Sequence, residues 1–259
     1  MPDLFLQIHD EGATEADDLV QLTDAEAIAV LESGEIVGQK LIPWGSNYSF
    51  AAAVEDEDGR EILAIYKPES GETPLWDFPD GTLYKREVAS YRLTKLLGWD
   101  VIPPTVIHDG PLGPGSLQLY RQPIEPDPET PVEDVWGQRT LPIEQIVLFD
   151  HIANNADRKI AHCLIDHTGK IWGIDHGLTF NVDFKLRTVL WQFVGMPVTE
   201  QLVADLRRVR EDEATLRAEL EPLLNESELI TLMRRMGAFV AEPTFPILDP
   251  NRNIPYGWW

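Results

Sequence analysis

The sequence predicts an α+β chain of two lobes, a β-rich N-terminal lobe over residues 1–121 with one long helix and a mostly helical lobe over 122–259. Three observations carry this expectation. Strand-like apolar runs crowd the first half, helix-length periodic segments fill the second, and a proline-rich acidic stretch, 122–140, separates them with the composition of a linker.

The elements follow in order. Residues 1–20 are acidic and weakly periodic, a loose arm in which alternating Leu4, Leu6 and Ile8 could add an edge strand. A short helix spans Thr23 to Gly34, because Thr23 with Glu26 three residues later forms a capping box and Gly34 is a stop. Strands are expected over 35–42, 49–55 and 61–67, the last two joined by the hairpin turn Asp56-Glu57-Asp58-Gly59. A proline- and glycine-rich loop, 68–81, leads into a helix from Leu83 to Leu97 that Gly98 terminates. Two more strands, 104–108 and 116–121, flank the turn DGPLGPG, and a hinge falls near 120–123. Helices are expected over 141–154, 198–213, 214–223 and 226–240, with a short strand pair, 163–167 and 170–174, turning at Thr168-Gly169.

Composition narrows the function. The 259 residues hold 21 Lys+Arg and 44 Asp+Glu, a net charge of −23, which argues against nucleic acid, whose affinity rests on phosphate neutralisation. The same charge disfavours broad docking on anionic lipid and leaves a basic partner open. The single cysteine, Cys163, excludes an internal disulfide and a cysteine-based zinc site, and reads as a small core residue. No apolar run approaches the roughly 18 residues of a membrane span, and the N-terminus has no basic region followed by an apolar one. A cytoplasmic protein without stable membrane insertion is the expectation.

The chemistry concentrates in 150–180, DHIANNADRKIAHCLIDHTGKIWGIDHGLTF. Asn154, Asn155, Asp157, Arg158 and His162 crowd behind an apolar helix, and a tight hairpin brings the chain to a second acid, Asp175, followed by Gly177. Two acids on adjacent loops can converge on one cation or one phosphoryl group. Taken singly, each acid reads better as a structural Asp–Arg pair or a turn cap; five polar residues wedged between apolar strands read better as a site. In protein kinases a catalytic Asp precedes a metal-binding Asn by five residues, and a later Asp-x-Gly supplies another metal contact. Here Asp157 is followed by His162, and Asp175-His176-Gly177 supplies the Asp-x-Gly.

The strings NNADRK (154–159) and GIDHGLTF (173–180) resemble the catalytic and metal-binding loops of the phosphatidylinositol 3/4-kinase superfamily, most closely type II phosphatidylinositol 4-kinases and bacterial relatives such as the HipA toxin kinases. The resemblance is specific over about 145–185 and looser over 36–121. It implies a bilobal protein-kinase-like fold, an ATP-dependent phosphotransferase, Asp157 as catalytic base and Asp175 as magnesium ligand. His162 stands where that family has a metal-binding Asn, which leaves the metal count, and Mg2+ against Mn2+, open.

The first lobe supplies its own test. A kinase needs a lysine on the strand that roofs the nucleotide, and in EILAIYK the alternation puts Leu63, Ile65 and Lys67 on one face. Glu87 falls with Leu83 and Tyr91 on the apolar stripe of its helix, away from Lys85 and Arg86; an inward acid needs a partner, and Lys67 is the logical one. The loop Trp44-Gly45-Ser46-Asn47-Tyr48-Ser49 occupies the place of a phosphate-covering loop, where Ser46 and Asn47 could meet phosphate or simply form a turn. The strand Ser116 to Tyr120, including Gln118 and Tyr120, would face adenine. Asn155 and Arg158 are assigned to the catalytic loop, whether in the chemistry or in securing it. The expected activity is γ-phosphoryl transfer from ATP to a hydroxyl of a protein or small molecule. A nucleotide-binding pseudokinase and a kinase-like nucleotidyltransferase are the alternatives.

Overall fold

The computed structural model describes residues 22–43, 45–124 and 135–257. The expected N-terminal arm, Trp44, most of the linker and the final two tryptophans lie outside the described residues. Of the described residues, those up to Val88 with Pro103–Gln122 form one compact unit, and Ala89–Ile102 with those from Pro123 onward form a second.

The first unit begins with α1 (Asp24–Ser33), started by the expected capping box: Thr23 Oγ1 accepts from the Glu26 amide, and the Glu26 carboxylate accepts from the Thr23 amide. Strands β1 (Glu35–Leu41), β2 (Phe50–Glu55) and β3 (Glu61–Pro68) follow as an antiparallel meander. The β2–β3 turn closes as its Asp-rich sequence requires, with Asp56 Oδ1 accepting from the amides of Asp58 and Arg60 and Gly59 at a φ of 76°. Helix α2 (Leu83–Leu97) comes next, its residues from Ala89 onward counted with the second unit, then β4 (Thr105–Gly110) and β5 (Gly113–Leu119). The sheet order is β1-β2-β3-β5-β4.

Two faces of this sheet have different tasks. One buries Ala52, Val54, Ile62, Ala64, Tyr66, Val106 and Leu117 against Val30 and Leu31 of α1. The other carries a thinner apolar layer of Ile42, Ala51, Leu63, Ile65 and Tyr120, and Lys67 shares its register parity. Gly115 lies opposite Pro68, and a Cβ there would meet the Lys67 carbonyl at 2.5 Å, so this close approach admits no side chain.

Two expectations change here. The turn DGPLGPG is mostly strand, since Asp109 pairs with Pro114 and Gly110 with Gly113, leaving two loop residues closed by Gly113 at a φ of 93°. Arg86 is not on a polar face; it is buried with its guanidinium 5.0 Å from the Phe78 ring centroid, because the loop before α2 folds over the first turn of the helix.

The second unit holds α3 (Leu141–Ala153), β6 (Cys163–Ile165), β7 (Ile171–Gly173), α4 (Glu200–Glu211), α5 (Glu213–Leu220) and α6 (Glu226–Ala241). Its core gathers Phe193, Phe239 and Phe245 around His151. The β6–β7 hairpin is shorter than the expected strands, since Asp166 Oδ1 accepts from the amides of Thr168 and Lys170 and holds the link as a turn. Cys163 is buried, and burial pushes its thiol up to about 12, as expected for a core residue. No helix among the described residues is long and apolar enough to cross a membrane.

Candidate active site

In the first unit, Lys67 is the penultimate residue of β3 and α2 presents Glu87 from its second turn. Lys67 Nζ donates to Glu87 Oε1, and the acid is only 3% exposed while the lysine keeps 23%. The pairing expected from strand alternation and helix periodicity is therefore present. It holds an ammonium at the end of a strand face whose other members, Leu63 and Ile65, are apolar.

The loop before β2 is tied to the loop after β3. Asn47 Oδ1 accepts from the Thr73 amide at 2.8 Å, the Ser46 carbonyl accepts from Thr73 Oγ1 at 2.6 Å, and the Tyr48 amide donates to Gly71. Asn47 thus shapes its loop with its side-chain oxygen, while Ser46 is an exposed residue. On β5, Gln118 Nε2 donates to Thr105 Oγ1, and the amides of Leu119 and Tyr120 donate to Pro104 and Leu63. Those donors are committed within the unit, so the expected adenine contacts cannot use them.

In the second unit a buried ion pair organises the site. Arg158, fully buried, donates from Nε to Asp150 Oδ2 at 2.8 Å and from Nη2 to Asp150 Oδ1 at 2.9 Å. Its Nη1 reaches the carbonyls of His162 and Ile174 at 2.9 and 3.0 Å. Nη2 also lies 2.7 Å from His176 Nε2. Arginine only donates, so His176 accepts and carries its own proton on Nδ1. Burial alone would lower the Arg158 pKa; the Asp150 carboxylate more than offsets it and the pKa rises. One guanidinium thereby ties the end of α3, the loop 154–162 and the Asp-x-Gly segment together.

Asn155, also buried, extends this frame. Its Nδ2 donates to Asp150 Oδ1 at 2.8 Å and its Oδ1 accepts from the Asp157 amide at 3.0 Å. Asn154 ends α3 with a left-handed backbone, φ 56°, and its side chain binds the carbonyls of Asn181 and Asp183 and the amide of Lys185. Asn155 and Arg158 hold the loop from inside, and Asp157 projects from it.

Asp157 is partly buried, its Oδ2 2.9 Å from Lys159 Nζ. Burial raises its pKa; the hydrogen bond from Lys159 and the nearby His162 pull it partly back, and the Asp175 charge adds to the rise. His162 stands between the two acids. Its Nδ1 lies 2.8 Å from the Asp157 carbonyl oxygen and its Nε2 3.2 Å from Asp175 Oδ2. A carbonyl only accepts, so Nδ1 carries the proton, and in the neutral ring Nε2 is a lone pair facing a carboxylate oxygen. Two acceptors at this distance are completed by a cation or by a second ring proton, so the donor set fits a divalent ion. Among the described residues no group of three or more His, Cys, Asp or Glu side chains gathers, so such an ion would draw its remaining ligands from phosphate or water.

Backbone strain marks the same place. The three described non-glycine residues with positive φ are Asn154, Asp175 (59°) and Phe180 (61°), and all fall in this loop system. Such conformations persist where the surroundings over-determine them, as functional sites do. Sequence reasoning missed Asp150, whose signal was an acid directly after the apolar run 146–149, and Lys159, whose signal was its place two residues after Asp157.

The β-sheet unit and the helical unit with a catalytic-type loop define a protein of kinase-like fold. The Golgi casein kinase with Mn and ADP bound superposes with a TM-score of 0.56 at 14% identity, over 84% of this chain and 74% of that one. Hydra Fam20 with sugar gives 0.55 at 16%, over 98% of each chain, and the Helicobacter pylori proinflammatory kinase CtkA gives 0.51 at 10%, over 83% and 94%. At these identities the likeness is one of fold. No protein-family model matches the chain. Protein Rv2133c of Mycobacterium tuberculosis (strain ATCC 25618 / H37Rv) is 36% identical over 264 residues, spanning 89% of this chain and 94% of that protein, and the chain belongs to the family of Rv2133c.

Proposed function

We propose that this protein is an ATP-dependent kinase that transfers the γ-phosphoryl group to a hydroxyl of a protein or small molecule. The observation that carries it is the Asp157–His162–Asp175 arrangement, in which one imidazole lies 2.8 Å from the Asp157 backbone carbonyl and 3.2 Å from the Asp175 carboxylate and so holds the two acidic residues in one loop system. The bound Mn and ADP of the Golgi casein kinase structure support a nucleotide and a divalent cation as ligands here. The motif resemblance in 154–159 and 173–180 supports placing the chain with the phosphatidylinositol 3/4-kinase-like enzymes, and ATP supply favours a cytoplasmic location.

Each residue has a defined task. Lys67, oriented by Glu87, contacts the α- and β-phosphates, with the Ser46–Asn47 loop closing over them and the Gln118–Tyr120 strand beside the base. Asp175 and His162 hold a divalent cation, Mg2+ or Mn2+, which when bound neutralises charge on the phosphates. Asp157 accepts the proton of the acceptor hydroxyl as its oxygen bonds the γ-phosphorus and the bond to the β–γ bridging oxygen breaks, releasing ADP. Lys159, paired with Asp157, offers a cation to the transferring phosphoryl group. The net charge of −23 makes an anionic lipid surface the least suitable acceptor.

The replacement of a metal-binding Asn by His162 keeps a nucleotide-binding pseudokinase as the second reading. Incubation with α- and γ-labelled ATP in parallel, with Mg2+ or Mn2+, separates them. Label from γ only on an acceptor or on the protein supports the kinase; α label points to nucleotidyl transfer, and neither label with retained ATP binding points to the pseudokinase.

A further inference from the structure

We propose that Asn253 is a positioning residue for the catalytic loop, through which the C-terminal segment fixes the placement of Asp157; this rests on the kinase reading above. The residues after the Asp-x-Gly segment form an extended strip, 186–189, with two hydrogen-bonding edges. One edge meets the catalytic loop: the Arg187 amide donates to Asn155 at 2.9 Å, the Arg158 amide to Arg187 at 3.0 Å, and the Val189 amide to Arg158 at 3.1 Å. The outward groups on the other edge are the Leu186 carbonyl and the Thr188 amide, as alternation along an extended chain requires.

Asn253 meets both. Its Nδ2 donates to the Leu186 carbonyl at 2.6 Å, and its own carbonyl accepts from the Thr188 amide at 2.9 Å. The remaining groups are held as well: Oδ1 accepts from the Asp249 amide and the Asn253 amide donates to the Asp249 carbonyl, both at 2.9 Å. Asn253 is buried, and Phe245 and Leu248 anchor the segment upstream in the core. A single residue therefore supplies the missing edge to a strip whose opposite edge is the backbone on both sides of Asp157. A hydrocarbon side chain would leave the Leu186 carbonyl buried without this donor. The second tail contact is weaker in kind: the Tyr256 ring, 79% exposed, lies 4.9 Å from the Arg187 guanidinium.

The test uses the full chain with Asn253→Ala, Asn253→Ser and, for comparison, Tyr256→Ala. Three quantities are read: kcat and KM for ATP, ATP affinity, and amide hydrogen exchange over 155–158 and 186–189 relative to α3 and α6. Expected for both Asn253 variants is a fall in kcat of about tenfold, with KM and ATP affinity within about twofold. Exchange should quicken at Arg158, Arg187 and Val189 while α6 keeps its protection, and Tyr256→Ala should behave as wild type. A general structural loss would instead raise KM and exchange throughout, and that result overturns the proposal, as does unchanged exchange at Arg158 and Arg187. If the wild-type chain transfers no phosphate, the kinase reading fails on that measurement, and the exchange comparison still decides whether Asn253 holds the loop. If Asn253→Ala does not fold, Asn253→Ser keeps a small polar group against Asp249 and yields the same reading.

Discussion

Asp150→Ala should be among the most destabilising single changes in this protein, and the structure gives its size. Asp150 accepts two hydrogen bonds from Arg158 and one from Asn155, and neither Asp150 nor Arg158 is more than 1% exposed. Removing the carboxylate leaves a guanidinium buried with two carbonyls and one imidazole nitrogen as partners, none of them charged. Breaking a buried pair from one side costs about 3–5 kcal/mol, against a total domain stability of about 5–15 kcal/mol. Asp150→Asn should cost nearly as much, because its amide nitrogen faces a donor in either orientation, Arg158 Nε in place of Oδ2 or both Arg158 Nη2 and Asn155 Nδ2 in place of Oδ1. The double variant Asp150→Leu, Arg158→Met removes the stranded charge and should recover part of the loss. Urea titration followed by tryptophan fluorescence measures all three. An Asp150→Ala midpoint corresponding to less than about 1 kcal/mol, at unchanged slope, would refute the view that this pair organises the site.

Lys67→Ala should weaken ATP binding about 10- to 100-fold, measured by calorimetry on the folded variant, and should also lower the melting temperature because the buried Glu87 loses this ion pair; Lys67→Arg should not restore ATP binding because a planar fork does not replace a compact ammonium. Asp175→Asn should lose metal-dependent nucleotide binding, whereas Asp157→Asn should bind MgATP normally and turn over about 10²–10⁴-fold more slowly. His162→Asn should shift binding from Mn2+ towards Mg2+, seen directly by Mn2+ paramagnetic resonance; equal ratios in both proteins would make His162 structural. His151, buried against Phe239 and Phe245, has its pKa lowered to about 4 by burial. The unfolded chain therefore binds a proton that the folded chain refuses between pH 6.5 and 4, and stability falls by up to about 3 kcal/mol as pH drops through that window. In His151→Leu this portion of the acid destabilisation should disappear from the pH dependence of the urea midpoint.

The sequence by itself determined what short-range physics controls. The capping box of Thr23 and Glu26, the Asp56–Gly59 turn and the helix Leu83–Leu97 need only neighbours within a few residues, and all three stand where the pattern put them. Strand alternation and helix periodicity were enough to point Lys67 and Glu87 at each other across 20 residues, because each falls on the apolar side of its own element. The cluster 154–176 was legible as a cluster because so many polar groups fall between buried segments, although Asn154, Asn155 and Arg158 turn out to bind the loops to one another. The choice of partner among polar groups was left to tertiary structure. Arg158 had several acids to choose from, and only packing of α3 behind the loop selects Asp150; Asn47 and Gln118 turn to Thr73 and Thr105 because the fold brings those groups within 3 Å. Asn253, 67 residues from Leu186, carries no local signal at all. A hydrogen bond is satisfied by whichever partner arrives at the right distance and angle, and that is a property of the folded chain, whereas periodicity and capping are written in the order of the residues.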